Sequence, residues 1–183
     1  MYGLQRTKSF LRRFKRSQHG GAAVEFAVIG LPFFLFMFAI LDISLIFFAS
    51  TTLENGIVSA ARQIRTGQAQ AMNMTKQQFR TLVCGEISML LGCDSRLGVD
   101  VRKYSGFSSA QFENALDNNG NLTGNFQFDP GQPGDVVVVR AFYTWPVLTP
   151  IVGEAFQNMA GGHRLIETSI AFRNEPFGSI LGN

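Results

Sequence analysis

The stretch from Gly20 to Ser50, GGAAVEFAVIGLPFFLFMFAILDISLIFFAS, most constrains how this chain can fold. Between Phe26 and Leu41 it holds no charged residue, and beyond Asp42 the apolar character resumes through Phe48. A helix over Phe26–Phe48 would be about 35 Å long, enough to cross the hydrocarbon core of a bilayer. The chain has 183 residues, so the part beyond Ser50 is sufficient for one small domain.

The charge distribution gives that span a direction. The formal net charge is +3, from 16 bases and 13 acids. Six of the bases, Arg6, Lys8, Arg12, Arg13, Lys15 and Arg16, lie in the first 20 residues, where there is no acid. The remainder is therefore mildly acidic, which argues against a basic groove for nucleic acid. A basic tail ahead of an apolar span predicts a cytoplasmic N-terminus and a head on the far side of the membrane.

An ordinary secretory signal would have a shorter apolar core followed by a small-x-small cleavage site. Here Asp42-Ile43-Ser44-Leu45 offers no such site, and the small residues Gly20, Gly21, Ala22 and Ala23 precede the apolar run. That order predicts either an uncleaved anchor or cleavage on the cytoplasmic side. Glycine before a scissile bond lets a protease approach the backbone closely. Glu25, near the start of the helix, is favourably placed for the helix dipole. It reads either as an assembly charge in a processed chain or as an interfacial acid in an uncleaved one.

Gly20-Gly21-Ala22-Ala23-Val24-Glu25-Phe26 resembles the class IVb prepilin processing motif: glycine, four residues, then glutamate and an aromatic. The wider run through Pro32 resembles the TadE-like pseudopilins of tight-adherence (Flp) pilus systems. Arg173-Asn174-Glu175-Pro176-Phe177 is similar to the closing sequence of many members, whereas the middle of the chain is matched only loosely. The resemblance implies a minor pilin cut by a prepilin peptidase at Gly20–Gly21, which makes Glu25 the fifth and Phe26 the sixth mature residue. It also implies that Glu25 meets the N-terminal amine of a neighbouring subunit. The implied partners are that peptidase, other pilins or pseudopilins, the inner-membrane assembly platform and membrane lipid. The head is large beside a major Flp subunit, which in that family is very short.

Asp42 is the second acid of the apolar stretch, about 25 Å beyond Glu25 along a helix. It either reaches headgroups and water at the far interface or contacts a partner helix within the membrane. Pro32 deletes one helical hydrogen bond and marks a kink site. Phe33, Phe34, Phe36, Phe38, Phe47 and Phe48 read as lipid-facing or helix-packing bulk.

Past the membrane, Leu53, Ile57, Ala60, Ala61 and Ile64 keep helical spacing, with Glu54, Asn55, Arg62 and Arg65 largely elsewhere. One helix is expected from about Ala22 to Arg65, with Gly67 as its stop. Thr75-Lys76-Gln77-Gln78 reads as a capping box opening a second helix, with Phe79, Leu82, Val83, Ile87, Leu90 and Leu91 as its buried stripe and Gly92 as its end. Ser108-Ser109-Ala110-Gln111 predicts a third helix through about Ala115, ahead of a turn-rich loop at Asp117–Asn121. Strands are expected over Leu97–Tyr104, Asp135–Trp145 and Arg164–Phe172, with Val152–Met159 helical between the last two. The fold class is α+β: a small antiparallel sheet of about three strands packed on a long helix. Residues 1–20 form the leader, 21–66 the N-terminal helix and 67–183 the head.

Cys84 and Cys93, outside the cytoplasm by the charge argument, predict a structural disulfide. A redox centre would favour C-x-x-C, and His19 and His163 are too few for a typical metal site. No cofactor is expected. Glu86, Glu113, Glu154 and Glu167 are scattered singly, there is no G-x-S-x-G elbow, and Gly161-Gly162 precedes a strand as a turn rather than a phosphate cradle. Catalysis is therefore not expected. Two functional readings stay open: a processed minor pilin, and an uncleaved single-pass envelope scaffold or binding protein. An anchored hydrolase relying on His163 is a third, for which the sequence offers no substrate.

Overall fold

The apolar run and the amphipathic run after it form one helix, α1, Gly21–Arg65. The computed structural model describes residues 20–89, 91–93, 95–110, 112–149 and 153–178. By compactness the chain divides between Leu41 and Asp42. The first unit contains the helix through Leu41; the second begins at Asp42 and includes the rest of α1 with the α+β head.

In the second unit, Leu53, Ile57, Ala60, Ala61 and Ile64 are all buried, so the stripe read from the spacing is the core face of α1. Arg62 and Arg65 occupy its last turn, where cations favour the negative end of the helix dipole. Gly67, at φ +81°, ends the helix in a conformation that only glycine adopts readily. A four-residue turn of helix, α2 (Gln68–Ala71), comes next.

Helix α3, Lys76–Ile87, starts at the expected capping box. Gln78 N donates to Thr75 Oγ1 at 3.3 Å, and Thr75 N donates to Gln78 Oε1 at 2.8 Å. Phe79, Val83 and Ile87 are buried, Leu91 is buried beyond the helix, Leu82 packs at the margin, and Leu90 lies outside the described residues. The helix stops at Ile87 rather than reaching Gly92. Leu91 N still bonds back to Ile87 O, while Gly92 O accepts from Tyr143 Oη at 3.1 Å. Gly56 lets α1 and α3 approach closely, since a Cβ there would lie 2.4 Å from Ile87 Cγ2.

Strands β1 (Leu97–Tyr104), β2 (Val136–Pro146) and β3 (His163–Arg173) form an antiparallel sheet in the order β1-β2-β3. The register pairs Val99 with Ala141, Val101 with Val139 and Tyr143 with Ile166 on the face that joins the helical core. Val136 and Val138 point the other way yet are also buried. This explains the unbroken valine run, because a strand covered on both faces need not alternate.

The cover on that second face comes from the long connection between β1 and β2. Phe126 stacks on Phe142 with centroids 5.2 Å apart, and Gly98 leaves room for it, since a Cβ would lie 2.5 Å from the Phe126 ring. Arg140 donates to Glu113 O at 2.9 Å and to Glu167 Oε1 at 2.6 Å. Arg102 pairs with Asp100 and with Glu113, each at 2.9 Å. Burial opposes the Arg102 charge, but attraction from Asp100 and Glu113 outweighs it and raises the guanidinium pKa. Glu113 and Glu167 therefore belong to an ion-pair network that fastens the connection to the sheet, and are not isolated surface acids.

Two expected helices are replaced by short 3₁₀ turns. Phe107–Ser109 is one, and Ser109 Oγ turns back to Gly106 O at 2.8 Å instead of opening a helix towards Ala115. Gln111 lies outside the described residues. Gly153–Phe156 is the other, and Val152 also lies outside them. Strand β3 starts at His163, after Gly161 and Gly162 at φ +74° and +79°.

Candidate functional site

The exposed apolar surface of α1 is the part of the molecule most in need of a partner. Phe26, Ile29 and Phe36 are each about 70% exposed, and Val24, Val28, Leu31, Phe33, Ile40 and Leu41 are likewise exposed. These residues lie on every side of the helix rather than in one stripe, as expected for a helix in apolar surroundings. Among the described residues α1 is long and apolar enough to cross a membrane by length and composition. Pro32 sits within the helix, which continues through it.

The expected processing residues stand at the start of this helix. Gly21 is its first residue and Gly20 immediately precedes it. A Cβ at either glycine would meet nothing within 4 Å. Glu25 and Phe26 are both exposed. No acid occupies the first turn, and the dipole's influence fades beyond that turn. The dipole therefore does less for Glu25 than its position near the start of the apolar run suggests.

Asp42 has a well-defined environment. It is 3% exposed, and its Oδ2 accepts from Thr149 N at 3.0 Å, across 107 residues of sequence. The carboxyl group is thus used within the head unit, holding the loop that leaves β2. The next turns of α1 move into the core: Ile46 packs at its margin, and Ala49 and Leu53 are inside it. Thr51 and Thr52 return their hydroxyls to Phe47 O and Phe48 O at 3.1 and 2.9 Å, so their polar groups are satisfied within the helix.

At the other end of α1, the closing segment found by resemblance has a mechanical explanation. Glu175 N donates to Arg65 O at 2.9 Å, and Phe177 lies against Gly67, where a Cβ would be 2.2 Å from its ring. Asn174 is buried, and its Nδ2 donates to Pro130 O and Gln132 O at 2.9 and 3.1 Å. Periodicity could not reveal this clamp, because the segment forms no regular element of its own.

Cys84 and Cys93 are joined in a disulfide with a Cα separation of 5.6 Å, tying the last turn of α3 to the segment before β1. Arg80 reinforces the same junction, donating to Leu97 O and to Cys93 O, both at 3.0 Å. His163 places Nδ1 3.3 Å from Ala160 O at the start of β3. Among the described residues no group of His, Cys, Asp and Glu could hold a metal ion.

These features define an α+β protein with an apolar N-terminal helix exposed on all sides and a disulfide-bonded head. Residues 20–62 match the family model described as TadE-like protein, a stretch that contains Gly20, Gly21, Glu25, Phe26 and Asp42. The likeness to that family therefore covers the N-terminal helix of the chain. Neither a curated protein nor a solved structure matches the chain.

Proposed function

We propose that this chain is a minor pilin or pseudopilin of a tight-adherence (Flp) pilus, processed by a prepilin peptidase between Gly20 and Gly21. The observation that carries the reading is the TadE-like match, which begins at residue 20 and takes in Gly20, Gly21, Glu25, Phe26 and the exposed apolar surface of α1. A side chain at either glycine would meet nothing within 4 Å beyond the adjoining backbone, which favours access by a protease. Processing removes the six leader bases that hold the N-terminus at an anionic cytoplasmic surface, easing withdrawal of the helix from lipid. The new Gly21 amine pairs with Glu25 of a neighbouring subunit, sparing both charges an unpaired position in an apolar bundle. The head stays on the extracytoplasmic side, where Cys84 and Cys93 remain oxidised. The same apolar helices then pack side by side with other pilins on the inner-membrane assembly platform.

The N-terminal residue of the protein purified from cell envelopes tests this reading. Gly21 supports it; Met1 supports the uncleaved anchored scaffold instead. In Gly20→Lys, the chain should stay full length by mass spectrometry, and normal trimming of that variant would overturn the processing site.

A further inference from the structure

We propose that the loop Val147–Thr149 is a second membrane contact, seated on the boundary between acyl chains and headgroups and fixed there by Asp42. The proposal rests on the membrane-spanning reading of α1.

Helix Gly21–Leu41 is about 31 Å long, close to the thickness of the hydrocarbon core. Asp42 is the next residue and the first of the head unit. The loop is tied to that residue by the bond from Thr149 N to Asp42 Oδ2 at 3.0 Å. It is consequently held beside the part of α1 that emerges from lipid, not at the distal end of the head.

Its chemistry suits that location. From Ala141 to Gly153 the sequence has no charged residue. Leu148 is 63% exposed at the loop, and in the same unit Ile43, Leu45, Phe47 and Phe48 of α1 are exposed beside Asp42 in sequence. Val147 is braced from behind, since a Cβ on Gly153 would lie 2.7 Å from its Cγ1. Trp145 precedes the loop and packs at the margin of the core. A lipid occupant is favoured by the loop's anchor: Asp42 directly follows the apolar run in sequence, and the loop that it holds is uncharged and presents an exposed Leu148. The arrangement also accounts for the burial of Asp42. The loop covers an acid that would otherwise face the acyl-chain boundary, and uses it as the loop's own anchor.

Trp145 is the only tryptophan in the chain, so the variant Trp145→Phe/Leu148→Trp carries one fluorophore, at the loop. Full-length protein is reconstituted into phosphatidylcholine vesicles, and insertion of α1 is scored separately by flotation. We expect lipid brominated near the glycerol end of its chains to reduce the emission about twofold, with weaker quenching by lipid brominated at the chain ends. Adding Asp42→Ala should release the loop, lowering lipid quenching and raising quenching by aqueous acrylamide. Protein that floats but is quenched only by acrylamide overturns the loop proposal while leaving the anchor intact. Shielding from both quenchers overturns it in favour of a second copy covering the loop. Failure to float overturns the anchor reading, and the loop proposal with it.

Discussion

The backbone N–H of Glu175 donates to the carbonyl of Arg65 at 2.9 Å, and the side chains of the same two residues pair at 3.3 Å. Both side chains are about half exposed, so the ionic part of this relationship contributes little. The backbone bond matters more, because it satisfies one of the carbonyls that every helix leaves without an internal partner at its C-terminus. With Asn174 bonded to the Pro130–Gln132 segment and Phe177 against Gly67, the closing segment holds the end of α1 to the β1–β2 connection and to β3.

Asn174 should therefore outweigh its charged neighbour in stability. Asn174→Ala removes two hydrogen bonds from a buried side chain and leaves their carbonyl partners without it, an expected loss of about 1–3 kcal/mol. Glu175→Ala keeps the backbone bond to Arg65 and should cost less than about 1 kcal/mol. Urea unfolding of the full chain in detergent, followed by tryptophan emission, compares the two. Equal midpoints for both variants would remove the basis for the clamp.

Gly67 is constrained in two ways that can be separated. Its φ of +81° disfavours any side chain, and the Phe177 ring fills the space a Cβ would need. Gly67→Ala should lose about 1–3 kcal/mol. In a Phe177→Ala background the same substitution should cost less, because only the backbone strain remains. A double-mutant cycle measures the difference; a coupling energy of zero would mean the ring shifts aside at no cost.

How far the sequence reveals this architecture depends on the range of the interaction concerned. The bounds of β1 at Leu97–Tyr104, the Thr75–Gln78 box and the Leu53–Ile64 stripe are legible because period and capping are local chemistry. The apparent box at Ser108–Gln111 is chemically similar to the one at Thr75, yet it opens no helix. Downstream of it, Glu113 O is taken by Arg140, and Thr123 N bonds back to Ala115 O, so tertiary bonds draw the backbone away from helical pairing. Asp42 stands out in the sequence as a residue needing a partner, but that partner lies 107 residues away in a loop with no motif. Glu113 and Glu167 look solitary in the sequence for the same reason: Glu113 in the connection meets Arg102 of β1 and Glu167 of β3 meets Arg140 of β2, and spacing within one strand does not encode which strand will be its neighbour.

The disulfide should contribute stability chiefly by restraining the unfolded chain, beyond the contact its two cysteines make with the core. Cys84 and Cys93 are nine residues apart, and closing a loop of that size restrains the unfolded chain by about 2–3 kcal/mol. Cys84→Ser/Cys93→Ser should lower the urea midpoint accordingly, and dithiothreitol should lower that of the native protein but not of the variant. A reductant effect of equal size on both would show that the bond is not the source.

Glu25 supplies the prediction that separates assembly from anchoring. It is exposed on α1, one turn beyond the residue at which processing is proposed. Glu25→Val leaves both glycines intact, so trimming to Gly21 should proceed. It removes the charge proposed to meet a neighbour's amine, while increasing the apolarity of a helix already suited to lipid. The processed variant should accumulate in the membrane and be recovered with pilus components at about a tenth of the native level or less, a loss equivalent to about 1.4 kcal/mol in the association. Recovery and piliation at native levels would show that the helices assemble without this pairing. Recovery restored by Glu25→Asp would instead show that the charge, rather than the length of the side chain, sets the register.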